Sequence, residues 1–229
     1  LFHSFGKLIF SLSDELCGII IYYIFRNSGI KEQEALRYAS LWIFNPFVIY
    51  LATRGSADSL QCLLVFLILF LLRERKIRSS AIVYGLSVHF RIYPVIYALS
   101  FFSYCFSKSR KEAFRFIWIS GFTFLLIETL FTLLYGPSFL METLFYHAKR
   151  VDIRHNYSLF FYPFYLLASL GKDPGLWVWL PQLLLFPVIS FKFYRDLPFA
   201  VFLLSFLFVT MNKVITAQYF NWRSEERRV

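Results

Sequence analysis

"FIWISGFTFLLIETLFTLLY", residues 116–135, holds one charged side chain, Glu128, in a run as long as the about 20 apolar residues that a bilayer crossing requires. The basic segment "SKSRKEAFR", 107–115, precedes it, and Gly136-Pro137 follows. A sequence of this kind predicts a membrane-crossing helix with a cytoplasmic start.

The rest of the 229 residues repeats that pattern. Hydrophobic residues make up 58% of the chain and charged residues 17%, and the mean hydropathy is +0.57. This leaves too little polar surface to wrap one water-soluble core. Apolar runs lie at about 8–25, 38–52, 60–72, 81–106, 116–135, 157–170, 176–191 and 198–211. The expected fold is all-α, a polytopic integral membrane helical bundle with short broken or re-entrant helices.

The net charge of +10 does not point to nucleic acid. Most Lys and Arg residues fall in short links between apolar runs, where the positive-inside rule accounts for them. Cys17, Cys62 and Cys105 stand far apart inside apolar runs, which supports neither a disulfide framework nor a CxxC metal or redox site. The chain starts at Leu1 without a signal-peptide pattern and ends in the polar tail "NWRSEERRV", so truncation is expected at both ends.

Charge also predicts sidedness. "RNSGIKEQEALR" (26–37), "RERKIR" (73–78) and "SKSRKEAFR" are dense in cations and belong on the cytoplasmic side; "TRGSADS" (53–59) falls opposite. The run 81–106 is flanked by cationic segments at both ends and interrupted by "HFRIYP" (89–94). It is expected to be a re-entrant hairpin or a pair of short helices, with Pro94 removing a backbone hydrogen bond at the break. Irregular backbone at membrane depth survives only where protein or water covers it, so a cavity is implied.

The segment "YHAKRVDIRHNYS", 146–158, then lies outside the cytoplasm. Its cations Lys149, Arg150 and Arg154 stand where the rule predicts few, so a role beyond topology is expected. Beyond Ser158 two topologies stay open. If 157–170 crosses, "NKVITAQYF" (212–220) is cytoplasmic; if it dips and returns, that segment is on the far side.

Three clusters are candidate sites. In "TRGSADS", Ser56 or Asp58 caps a helix, or Arg54 and Gly55 approach a phosphate. In "HFRIYP", Arg91 snorkels to an interface, or His89, Arg91 and Tyr93 line a polar cavity. In 146–158, Asp152 pairs with Arg150 or Arg154 on a solvated loop, or the arginines form an anion site. His147 and His155 show no metal-ligand spacing, and no metal site is assigned. Asn156-Tyr157-Ser158 formally matches a glycosylation sequon. Asp14, Glu15 and Glu128 read as polar contacts between helices, without assigned chemistry.

In order and spacing, these residues resemble the glycosylphosphatidylinositol mannosyltransferase I family. The resemblance runs from "FGKLIF" (5–10) to "TAQYF" (216–220). It rests on Asn45-Pro46, Arg54-Gly55 and Ala57-Asp58-Ser59; on His89, Arg91 and Ile92-Tyr93-Pro94; and on His147, Arg150, Asp152, Arg154-His155-Asn156 and Ser158. Tyr194-Arg195-Asp196, Asn212-Lys213 and Gln218-Tyr219-Phe220 complete it. The pattern departs at Ser56, where the family often has Asn, and after Phe220, where it continues apolar. The family's DxD motif lies upstream of the part that resembles "FGKLIF". Residues 1–221 are thus expected to be part of a membrane mannosyltransferase domain lacking its DxD loop, and 222–229 an atypical tail.

The resemblance implies a GT-C-like, multi-pass enzyme of the endoplasmic reticulum membrane. It would transfer the first α-1,4-linked mannose from dolichyl phosphate mannose to glucosaminyl-(acyl)phosphatidylinositol on the lumenal side, with a small single-pass stabilising subunit as partner. The segment alone is expected to be inactive. Inversion at the anomeric carbon calls for in-line attack, and the departing phosphate calls for cations. Substrate-binding candidates are Arg54, His89, Arg91, Tyr93, His147, Arg150, Arg154, His155, Asn156, Lys213, Gln218 and Tyr219. The base is expected in the DxD loop, with Asp58 and Asp152 as further candidates. No cofactor is identified, and a divalent cation is left open. The alternatives are an anion transporter or a noncatalytic membrane scaffold.

Overall fold

The computed structural model describes residues 2–145, 158–171, 175 and 179–212. Among these residues every regular element is helical. The chain divides into two compact units, Leu1–Val95 with Lys108–Leu130, and Ile96–Ser107 with Phe131–Val229.

The first unit begins with α1 (Phe2–Arg26), α2 (Glu32–Ile43), α3 (Pro46–Arg54), α4 (Asp58–Arg73) and α5 (Ile77–Phe90). The segment 26–37, read as a linker, is helical from Glu32 onward, and acidic Glu32 and Glu34 suit the positive end of α2. The apolar run at 38–52 is not one helix. It breaks at Asn45-Pro46, with a 47° bend between α2 and α3. Proline disfavours the α conformation in the residue before it, and Asn45 sits extended at φ −67°, ψ 121°. Its side chain accepts from the Phe47 N–H at 2.9 Å, which caps α3.

At the other end of α3, Gly55 adopts φ +83°, and the N–H groups of Gly55 and Ser56 return to Ala52 and Leu51 carbonyls at 3.0 Å. That left-handed cap needs glycine, and it turns the chain straight into α4. α1 packs on α2 and α4, and α4 on α5. Gly18 allows the first contact, since a β-carbon there would lie 2.6 Å from Ile43 Cδ1.

α7 (Arg110–Tyr135) realises the 116–135 run as one continuous helix. Its residues up to Leu130 belong to the first unit. Gly85 of α5 lets the two backbones approach: a β-carbon there would lie 2.6 Å from the Ser120 carbonyl oxygen. Tyr84 stacks on Phe116 beside this contact, with ring centroids 5.5 Å apart.

The run 81–106 is broken where expected. α5 ends at Phe90, Arg91 is extended, Tyr93–Tyr97 forms a 3-10 turn, and α6 (Ala98–Lys108) follows. Tyr84 Oη donates to the Pro94 carbonyl at 3.2 Å, satisfying a group that the break exposes.

In the second unit, α8 (Ser138–Leu140) runs into a π turn at Met141–Phe145, and α9 (Phe161–Ser169), α10 (Leu180–Phe193) and α11 (Leu197–Thr210) follow. α9 has nine residues, about 14 Å at 1.5 Å per residue, less than half of a hydrocarbon core about 30 Å thick. α10 and α11 pack together.

By length and composition two helices suffice to cross a membrane, Phe5–Arg26 and Arg110–Tyr135, or three if α2 and α3 form one bent span. The fold is that of an all-α membrane protein. Cys17 and Cys105 are buried, Cys62 is half-buried, and all three are free thiols.

Candidate functional site

The polar groups of the first unit gather where its helices start, break or approach closely. Asp58 opens α4, yet its carboxylate does not cap the helix. Instead Asp58 Oδ1 lies 2.6 Å from Arg91 Nη2, and Ser56 Oγ donates to Asp58 Oδ2 at 2.7 Å. Asp58 and Arg91 are 33 positions apart, and the breaks at Gly55 and Arg91 bring them together. The Arg91 side chain keeps 42% of its surface exposed and Asp58 only 16%. The pair is thus rooted in protein on the acidic side and open on the basic side.

One residue further along α4, Ser59 Oγ donates to Asp14 Oδ2 of α1 at 2.6 Å, and both groups are buried. Gln61 Nε2 donates to Ser87 Oγ of α5 at 2.7 Å. His89 Nδ1 and Glu128 Oε1 share a hydrogen bond of 2.9 Å between α5 and α7. The expectation of contacts between helices therefore holds for Asp14 and Glu128. Glu15 instead is exposed, about 100° further round the helix than Asp14 and past the buried pair Ser13 and Asp14.

Of the predicted site residues, Asp58 and Arg91 meet directly, and His89 stands two positions before Arg91 with its own partner. Arg54 ends α3, and Tyr93 opens the 3-10 turn. Lys7 of α1 was not foreseen: its aliphatic stem lies over Gly55, where a β-carbon would be 3.3 Å from Lys7 Cγ. His147, Arg150, Asp152, Arg154, His155, Asn156, Lys213, Gln218 and Tyr219 lie outside the described residues. Among the described residues no group of three or more His, Cys, Asp or Glu side chains could hold a metal ion.

A guanidinium fixed from one side by a carboxylate keeps donors for a second anion, because its fork presents five N–H groups. Such an arrangement suits recognition of a phosphate or carboxylate near a membrane.

These features define the class: a helical membrane protein whose charged side chains collect at interrupted helices. The chain belongs to the mannosyltransferase (PIG-M) family, whose pattern matches residues 51–223. It is 38% identical over 231 residues to the GPI alpha-1,4-mannosyltransferase I catalytic subunit of Danio rerio, covering 95% of this chain and 59% of that protein. It is 37% identical over 239 residues to GPI mannosyltransferase 1 of Schizosaccharomyces pombe, covering 96% and 63%. Against GPI mannosyltransferase 1 of Saccharomyces cerevisiae it is 36% identical over 239 residues, covering 95% and 58%. The chain thus spans about three-fifths of the length of the curated relatives it matches. No solved structure matches it.

Proposed function

We propose that this chain is part of a mannosyltransferase that moves mannose from dolichyl phosphate mannose to glucosaminyl-(acyl)phosphatidylinositol at the lumenal face of the endoplasmic reticulum membrane. The observation that carries this reading is the family match over residues 51–223, which encloses Asp58, His89, Arg91 and Glu128. Residues 1–221 are its membrane domain, and a small single-pass subunit stabilises it.

In the transfer, a hydroxyl of the acceptor attacks the anomeric carbon, the bond from that carbon to the donor phosphate breaks, and the dolichyl phosphate leaves as an anion. The charge that grows on this phosphate needs preorganised cations, each worth about 3 to 4 kcal/mol where water is excluded. Arg91 supplies one fork, and Arg54, Arg150, Arg154 and Lys213 supply others to the phosphates of the two lipids. His89, Tyr93, His147, His155, Asn156, Gln218 and Tyr219 contact the sugars and headgroups. A carboxylate takes the proton of the attacking hydroxyl. Asp58 and Asp152 are the candidates within the chain; the contacts of Asp58 with Arg91 and Ser56 favour holding Arg91 as its first task.

The test uses the complete protein in membranes from cells that lack this activity. Radiolabelled mannose from dolichyl phosphate mannose should appear in glucosaminyl-phosphatidylinositol, in a product cleaved by α-mannosidase. Intact, well-expressed protein that yields no labelled glycolipid would overturn the proposal.

A further inference from the structure

Arg91 belongs to no α-helical turn of its own. Its backbone is extended at φ −147°, ψ 131°, and its N–H donates to the Ser87 carbonyl at 3.1 Å. Its position is therefore inherited from the last turn of α5. Ser87, His89 and Arg91 alternate along this segment, and each bonds a different partner: Gln61, Glu128 and Asp58. Two of those partners lie on α4. His89 ties the segment to α7.

We infer that Glu128 is a positioning residue for Arg91, acting through His89 and the end of α5. This rests on the reading of Arg91 as a phosphate-binding cation.

The geometry is consistent along the helix pair. Gly85 lies against the Ser120 carbonyl of α7. One turn on along α5 stands His89, and two turns on along α7 stands Glu128, so the close approach delivers the bond. Glu128 is 6% exposed, in a helix whose most apolar window is only 11% buried. A carboxylate in such a helix is costly, and charged groups inside membrane segments usually serve a polar pathway or site. A methionine would fill similar volume without that cost. A positioning role explains why a polar, directional group stands there: the bond sets both the rotation of the imidazole and the place where α5 stops.

The experiment compares Glu128→Met with Glu128→Gln in the complete protein, reconstituted in lipid nanodiscs. Glutamine can still bond the imidazole; methionine packs but cannot. We expect Glu128→Met to melt at the wild-type temperature while kcat falls on the order of 10- to 100-fold and KM for dolichyl phosphate mannose changes less than about threefold. Glu128→Gln should stay within about threefold of wild type, as a rescue by the conservative variant. A second measurement needs no catalysis. A cysteine at Ile92, which is 38% exposed, should react with a thiol reagent several-fold faster in the Glu128→Met background, because the end of α5 has loosened.

Wild-type kcat in Glu128→Met would overturn the inference, as would unchanged labelling at position 92. Faster labelling alongside wild-type protein that transfers no mannose would uphold the positioning of Arg91 and sink only the transferase reading.

Discussion

The two units of the chain use polar contacts differently. In the second unit, neutral side chains bond between elements among the described residues: Ser100 with Ser190 at 2.9 Å, Tyr97 with Ser205 at 2.6 Å, and Gln182 with the Met211 carbonyl at 2.7 Å. In the first unit carboxylates take part, and Asp58 pairs with Arg91 and Glu128 with His89. Neutral bonds between membrane helices contribute about 0.6 kcal/mol on average and serve well enough to hold neighbours together. Ionisable groups at membrane depth cost more to place, so a fold that needs only cohesion has no use for them. On the proposed reading, the charged contacts of the first unit serve recognition, and the neutral contacts among the described residues of the second serve cohesion.

The largest effect should follow from changing Arg91. Arg91→Gln keeps a polar side chain beside Asp58 but removes the charge that the proposed reading offers to a phosphate. Transfer by the complete protein should fall about 100- to 1000-fold, the range for losing one preorganised donor. Arg91→Lys should recover little, since an ammonium cannot reproduce the two-pronged geometry. A Lys variant with full activity would reduce Arg91 to a point charge and erase the contrast between the units.

Much of the fold can be read from the residues. Charge and apolar length give α1, α4 and α7, and Pro94 marks the break after α5. The Asn45-Pro46 break also has a local signal, a capping side chain before proline, but the apolar residues on both sides hide it. The site is less legible. Asp58 is recognisable as a helix start, yet its contact with Arg91 depends on how α4 and α5 are juxtaposed. Glu128 and His89 are 39 positions apart and share no local motif. Lys7 escapes notice because only the turn at Gly55 places it. Periodicity reports which face of a helix is covered, whereas a pairing between helices is decided by a close approach such as that at Gly85.

That close approach predicts the next effect. Gly85→Val would push a side chain against the Ser120 carbonyl and Thr123 Cβ, which a β-carbon would meet at 2.6 and 2.8 Å. Overpacking of this kind costs about 1 to 3 kcal/mol, seen as a lower melting temperature in detergent. Gly121→Ala on α7 is the control, with nothing within 4 Å of the added carbon; it should be neutral or stabilising. If Gly85→Val melts like Gly121→Ala, the α5 and α7 backbones are not in contact, and the bond of His89 to Glu128 loses its basis.

The smallest effect belongs to the second unit. Ser100 and Ser190 are fully buried and bonded to each other, so Ser100→Ala removes one bond and leaves the Ser190 hydroxyl in an apolar setting. A helical serine has an alternative acceptor in the carbonyl one turn back, as Ser103 and Ser205 show here with Leu99 and Val201 at 2.7 and 2.6 Å. Ser190 can turn the same way, so the cost should stay below about 1 kcal/mol. The double change Ser100→Ala with Ser190→Ala should cost no more than the single one, because no hydroxyl is then left to satisfy. Mannosyl transfer should be unaffected in both variants. A loss of transfer at unchanged melting temperature would show that this neutral contact also serves the reaction, and the division between a chemical unit and a cohesive one would fail at that point.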